Sequence, residues 1–238
     1  MGDDVSGGPF PETALVTGGT RGIGAGVTRV LREASVAVLT ASRTGADIAV
    51  DVSDPASVEA LAETVLERFG SLDLLVCSAG TLSVHTVEEL EPDEWDRVMS
   101  VNARGPYLCA RAFAGAMRER QRGCIVNIAS IGGKRGDATL SHYAASKFAV
   151  IGFTQALAAE LAPYGVRANC VCPGVVPSQM TDQLAAAWGE SPASLGERFG
   201  LLGRSQTPEE IGDAVLFLAR SASITAQAIN VDGGAVVG

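Results

Sequence analysis

The chain has no apolar run approaching the ~20 residues that a bilayer crossing requires; its longest, such as Ala214 to Ala219, are far shorter. Its first stretch, MGDDVSGGPFPET, lacks the basic and apolar segments of a secretory signal and reads as an acidic, Gly/Pro-rich leader. Positive charge is scarce. Eighteen Lys and Arg face 27 Asp and Glu, for a net charge of −9 and a pI near 4.7, which argues against nucleic acid or an anionic membrane as partner. The cysteines (Cys77, Cys109, Cys124, Cys170 and Cys172) are odd in number and lie mostly in apolar segments. That excludes a disulfide framework and implies buried free thiols in a reducing, cytoplasmic compartment. The Cys170-x-Cys172 pair lies in a strand-like run, is expected to point its side chains opposite ways and so reads as a poor metal pair; no metal site is predicted. Repeats, low-complexity tracts and long linkers are also missing, so one domain is expected: a flexible leader over residues 1–12 and a folded unit over 13–238.

What is present alternates. Short β-rich runs at Ala14–Thr17, Val36–Thr40, Leu72–Cys77, Cys124–Ile128, Val166–Val171 and Ala228–Val231 are separated by helical patterns. Val58, Leu61, Ala62, Val65, Leu66 and Phe69 form a helical stripe after Asp54-Pro55. Continuous apolar strands between helices imply βαβ units and a doubly wound parallel α/β sheet, with the ligand beyond the carboxyl ends of the strands. One crossover is too short. Only SRTGAD separates the second strand from the next run, Ile48–Val50, and a crossover helix needs at least ~10–12 residues. The helix between strands 2 and 3 is therefore expected to be shortened or missing.

Thr17-Gly18-Gly19-Thr20-Arg21-Gly22-Ile23-Gly24 follows the first strand and opens a helix. Glycines there allow a tight turn and close approach to a pyrophosphate, which the helix N-terminus attracts. At the end of the second strand an NAD site places an acid against the ribose 2′-hydroxyl. This chain has Ala41-Ser42-Arg43 and no Asp or Glu between Ala34 and Ala46. With Arg21 as a second cation, the corner suits a 2′-phosphate, so NADP(H) is favoured over NAD(H).

Tyr143 and Lys147 in YAASK share a helix face, with only small residues between them. A phenol titrates near ~10, and a neighbouring ammonium is expected to lower that value toward the range useful for acid–base catalysis. Ser130 places a hydroxyl at the end of the Cys124–Ile128 strand.

Together these motifs resemble the short-chain dehydrogenase/reductase family from about Thr13 to Gly234: TGGTRGIG, Asp51-Val52, VNARG, NIAS, YAASK, Pro173-Gly174 and VDGG, in family order. The resemblance implies a Rossmann-type sheet of about seven strands in the order 3-2-1-4-5-6-7 and a catalytic set of Asn102, Ser130, Tyr143 and Lys147. Tyr143 would exchange a proton with the substrate oxygen and Ser130 would hydrogen-bond that oxygen. Lys147 would hold the nicotinamide ribose and tune the phenol, and Asn102 would anchor a relay water. Cofactor contacts are implied at Gly18, Thr20, Arg21, Gly22, Ile23, Gly24, Ser42, Arg43, Asp51, Val52, Ser78, Ala79, Gly80, Tyr143, Lys147, Pro173, Gly174, Val176 and Ser178. Two departures stand out. Cys77-Ser78-Ala79-Gly80 replaces the usual Asn-Asn-Ala-Gly, and Ala226 replaces a common glycine, which is expected to alter how the last strand begins.

The implied activity is reduction of a ketone to a secondary alcohol, or the reverse, on a cyclic or polar small molecule of specialised metabolism. The alternatives are a 3-oxoacyl-carrier-protein reductase with Arg104, Lys134 and Arg135 at its entrance, an NAD-dependent polyol or cyclic-alcohol dehydrogenase, and a non-catalytic dinucleotide sensor. Met180, Leu184, Trp188 and Phe199 are candidates for an apolar lid, and His142 reads as structural. Ala149, Gly152, Ala156 and Ala159 would permit close helix approach in a homotetramer, or failing that a dimer.

Overall fold

The computed structural model describes residues 11–237, so the first ten residues of the expected leader lie outside the described residues. Seven parallel strands form one sheet in the order β3-β2-β1-β4-β5-β6-β7. They are β1 Thr13–Thr17, β2 Ala37–Ser42, β3 Ile48–Ala49, β4 Leu74–Cys77, β5 Gly123–Ile128, β6 Val166–Pro173 and β7 Ala228–Val231. The helices are α1 Gly22–Glu33, α2 Pro55–Phe69, α3 Pro92–Met99, α4 Gly105–Glu119, α5 Ser141–Leu161, α6 Gln179–Trp188, α7 Pro192–Phe199 and α8 Pro208–Arg220.

Strand period two sorts the core into two layers. Leu15, Leu75 and Ile125 join α2, α4 and α5 residues such as Leu61, Phe113 and Leu157 on one face. Ala14, Val16, Leu74, Val76 and Val126 join Val27 and Leu31 of α1 and Ile211 and Val215 of α8 on the other. Both faces are covered, which is why these strands read as unbroken apolar runs. Contrary to the expectation that they face opposite ways, Cys170 and Cys172 share one face and pack with Ala129 and Val150, because residues two apart along a strand point the same way.

Local chemistry sets the helix ends. Asp54 accepts the Ala56 N–H ahead of Pro55, and Gly70, at φ +70°, stops α2. Thr207 and Glu210 form a reciprocal capping box at α8. The crossover helix between β2 and β3 is missing. Asp47 instead turns its carboxylate onto the edge of β2, accepting from the Thr40 N–H and Oγ1, each at 2.8 Å. Sheet order reverses between β1 and β4, so their carboxyl ends and that of β5 border the crevice in which such folds bind ligands.

Candidate active site

The glycine loop sits at that reversal. Gly18 has φ +68° and donates its N–H to the Ala41 carbonyl at 2.7 Å. A Cβ there would lie 2.8 Å from Ala79 Cα and N, so the loop lies directly against Ser78-Ala79 and only glycine fits. Gly24 packs back onto Gly18 so that α1 begins beneath the loop. Gly22, at φ +51°, faces Ser178. No acidic residue occupies the first turn of α1, whose free N–H groups favour an anion. Thr20 Oγ1 lies 3.4 Å from Ser42 Oγ, at the end of β2. These residues fit a dinucleotide: a cradle that side chains would fill, a bare helix N-terminus and basic groups at its rim.

The two arginines diverge. Arg43 is exposed beside Asp51, whose carboxyl is held below the usual range by the Ser53 hydroxyl and amide, with Arg43 contributing less. Arg21 instead reaches α6, donating from Nη1 to Gln179 Oε1 at 3.0 Å. Val52 is buried, and a Cβ on Gly105 at the start of α4 would lie 3.1 Å from it.

Ser130 ends β5 and caps the 3₁₀ turn Ile131–Gly133, its Oγ accepting the Gly132 N–H at 3.0 Å. Its own hydroxyl proton is thereby left to donate elsewhere. Tyr143 and Lys147 lie in the first turns of α5 and are 9% and 6% exposed. The Lys147 ammonium donates to the Ile128 carbonyl at 2.9 Å and lies 5.7 Å from the Tyr143 ring centroid. Asn102 is buried in a π-helical turn, Ser100–Arg104, that joins α3 to α4. Its Oδ1 accepts the Thr81 N–H at 2.8 Å, and its Nδ2 donates to the Thr81 carbonyl and Ser146 Oγ. Gly80 lies between: a Cβ there would be 3.5 Å from Asn102 Oδ1 and 3.9 Å from Lys147 Nζ.

Two residues missing from the sequence-derived site set its spacing. A Cβ on Gly132 would lie 3.1 Å from Tyr143 Cε1 and 3.4 Å from Ser130 Oγ, and one on Gly133 would lie 2.8 Å from the Lys147 carbonyl. The double glycine one residue beyond NIAS, after Ile131, was the available signal.

Burial dominates the electrostatics. It pushes the Tyr143 phenol above its ordinary value, against a smaller opposing effect from the Ser130 hydrogen bond, and pulls Lys147 down to about 8. The expected lowering of the phenol by its neighbour is not what the free protein shows. The ammonium directs one of its three donors to Ile128, and burial is the largest influence on the phenol.

On the open side of Tyr143, Leu82, Val84 and Leu140 meet Met180, Leu184 and Trp188. The α6 residues recur every four positions and form one stripe. Trp188 Nε1 donates to Thr139 Oγ1 at 3.1 Å. Phe199 stands apart, packed on Trp188 under the guanidiniums of Arg135 and Arg198. Ser178 caps α6, Val176 is buried in the second core layer, and Gly174 packs beside Pro173 against Asp232 of the VDGG turn. His142 is fully buried beside Ser83.

This arrangement, a reversal-point glycine loop facing a Ser/Tyr/Lys cluster, is that of a dinucleotide-binding oxidoreductase. The family model described as enoyl-(acyl carrier protein) reductase matches residues 18–236. The chain is 36% identical to the 3-alpha-(or 20-beta)-hydroxysteroid dehydrogenase of Mycobacterium tuberculosis, covering 98% of this chain and 93% of that protein. It is 33% identical to the 3-oxoacyl-(acyl-carrier-protein) reductase FabG of Vibrio cholerae, covering 94% and 96%. The solved structure of Thermoplasma acidophilum aldohexose dehydrogenase is similar with a TM-score of 0.88 at 29% identity, covering 94% of this chain and 93% of that one. The chain belongs to the short-chain dehydrogenase/reductase family, whose members bind a nicotinamide dinucleotide.

Proposed function

We propose that the protein is an NADP(H)-dependent ketoreductase converting a cyclic ketone with apolar flanks to a secondary alcohol, or the reverse, with residues 13–238 as one catalytic domain in the cytoplasm. The carrying observation is the convergence of Ser130, Tyr143 and Lys147, packed so closely that Gly132 and Gly133 admit no larger residue without movement. When bound, the cofactor supplies the hydride. Tyr143 would deliver a proton to the carbonyl oxygen, and Ser130 would turn its hydroxyl proton from the phenol to the charge growing there. Lys147 offers its remaining ammonium donors to the nicotinamide ribose. The Asn102 side chain is spent on Thr81 and Ser146, so its part in a proton relay runs through the π turn it holds. The apolar cluster packed around Tyr143 supports a substrate with apolar flanks.

NADP(H) is supported by Arg43 beside Ser42 and by Asp47, the nearest following carboxylate, being committed to Thr40. NADPH is expected to bind ~10- to 100-fold more tightly than NADH, with Arg43→Asp narrowing the gap, as fluorescence titration would show. Equal affinities in the unmutated protein refute the cofactor reading. In a panel of cyclic ketones followed at the nicotinamide absorbance, Tyr143→Phe is expected to cost ~10²–10⁴-fold in rate with NADPH affinity unchanged. Near-full activity of that variant refutes the mechanism.

The similarity to FabG favours a second reading, reduction of a 3-oxoacyl thioester. Against it, the candidate entrance cations are engaged with backbone carbonyls: Lys134 donates to that of Ala228, Arg135 to that of Ala235 and Arg104 to that of Ser53. Faster turnover of an acetoacetyl thioester than of any cyclic ketone would reverse the order.

A further inference from the structure

Thr81 is held from both sides of the π turn. Asn102, inside the turn, takes its backbone N–H and carbonyl. Arg97, three residues before the turn, donates from Nη1 to Thr81 Oγ1 at 2.8 Å. Arg97 is in turn fixed by a two-pronged pair with Glu94, Nε and Nη2 each reaching a carboxylate oxygen at 2.7 Å, the geometry in which an ion pair orients rather than merely attracts. The Arg97 pair keeps the Glu94 carboxyl ionised down to about 2.

Ser83 Oγ lies 2.8 Å from Nε2 of His142, the residue before Tyr143. The continuous chain of hydrogen bonds at the turn runs from Glu94 through Arg97 and Thr81 to Asn102.

We propose that Glu94 and Arg97 are positioning residues: gripping Thr81 from α3, they set the register of the π turn that carries Asn102. The functional consequence rests on the catalytic roles proposed above; the brace itself does not. π-Helical turns inside α-helices are costly and occur often at functional sites, and here the turn has a dedicated clamp on either side.

Three variants test it: Thr81→Val, which removes the hydroxyl and keeps the shape, Thr81→Ser, which restores the hydroxyl, and Glu94→Gln, which removes the charge. In the free protein, amide hydrogen exchange across residues 100–105 is expected to quicken about tenfold in Thr81→Val and Glu94→Gln and to stay unchanged in Thr81→Ser. With NADPH and a ketone, kcat should fall about tenfold in the first two variants, without change in KM or cofactor affinity. Unchanged exchange at 100–105, a Thr81→Ser variant as impaired as Thr81→Val, or faster exchange with undiminished kcat would each overturn the proposal. Should the unmutated protein reduce no ketone, the proposed activity fails, while the exchange data still decide whether the brace sets the turn.

Discussion

Lys134 and Lys147 are the only lysines of the chain, and each gives its ammonium to a backbone carbonyl, of Ala228 and Ile128 respectively. For Lys147 the cost is visible in its depression from 10.5 to about 8, equivalent to about 3 kcal/mol of disfavoured charging. The folded protein binds this proton more weakly than the unfolded chain. Stability should therefore rise with pH between about 8 and 10.5, and the cost is fully present below about 8. A group kept at such cost points to use rather than to packing. Lys147→Met, close in volume and uncharged, is expected to lose reductase activity and cofactor affinity while melting at the same temperature or higher at pH 7, read by calorimetry. A fall in Tm would show that the ammonium stabilises the fold. In the unmutated enzyme kcat/KM for ketone reduction should decline as pH rises through about 8, where Lys147 loses its proton, because that ratio reports the free enzyme.

At the scale of elements, Ala226 marks the entry to β7. It adopts φ +60°, the left-handed conformation that favours glycine, and its N–H reaches the Ala168 carbonyl at 2.8 Å. The alanine methyl makes that conformation cost about 1–2 kcal/mol, offset in part by the smaller entropy of the unfolded chain. Ala226→Gly should therefore stabilise the protein by up to about 1 kcal/mol in urea unfolding with an unchanged m-value; destabilisation would mean the methyl contributes more by packing in the first core layer than its backbone costs. The strap of α6 is held at both ends, by Arg21–Gln179 and Trp188–Thr139, and so spans the crevice from the glycine loop to the start of α5.

Across the whole molecule, the outer face of α5 is unusually smooth. Ala149, Gly152, Ala156 and Ala159 are exposed there, with Phe148 49% and Tyr107 of α4 44% exposed at its borders. No helix among the described residues is long and apolar enough to cross a membrane. We propose that this face of α5 packs against a second copy of the chain. A Cβ at Gly152 would meet nothing within 4 Å in one chain. Gly152→Arg should consequently leave each subunit folded, by far-UV circular dichroism, yet drop the mass found by light scattering from that of a tetramer or dimer toward the monomer. A monomeric unmutated protein at micromolar concentration would refute the assembly.

How much of this was legible in the sequence follows from the range of the forces involved. Strand and helix identity, the parallel sheet, its order by family likeness, the missing crossover helix and the spacing of Tyr143 and Lys147 all follow from periodicity, turn residues and short motifs, which act over a few residues. The sequence could not show that Arg21 turns toward Gln179, 158 positions away, or that Lys147 gives its proton to Ile128 rather than toward the phenol. Nor could it show that burial would raise the Tyr143 phenol, since desolvation depends on everything packed around a group and not on its neighbour at i+4. The roles of Gly132 and Gly133 and the clamp on Thr81 likewise arise only where β4, β5, α3 and α5 meet, because such contacts are made by chain closure between segments with no local sign of one another.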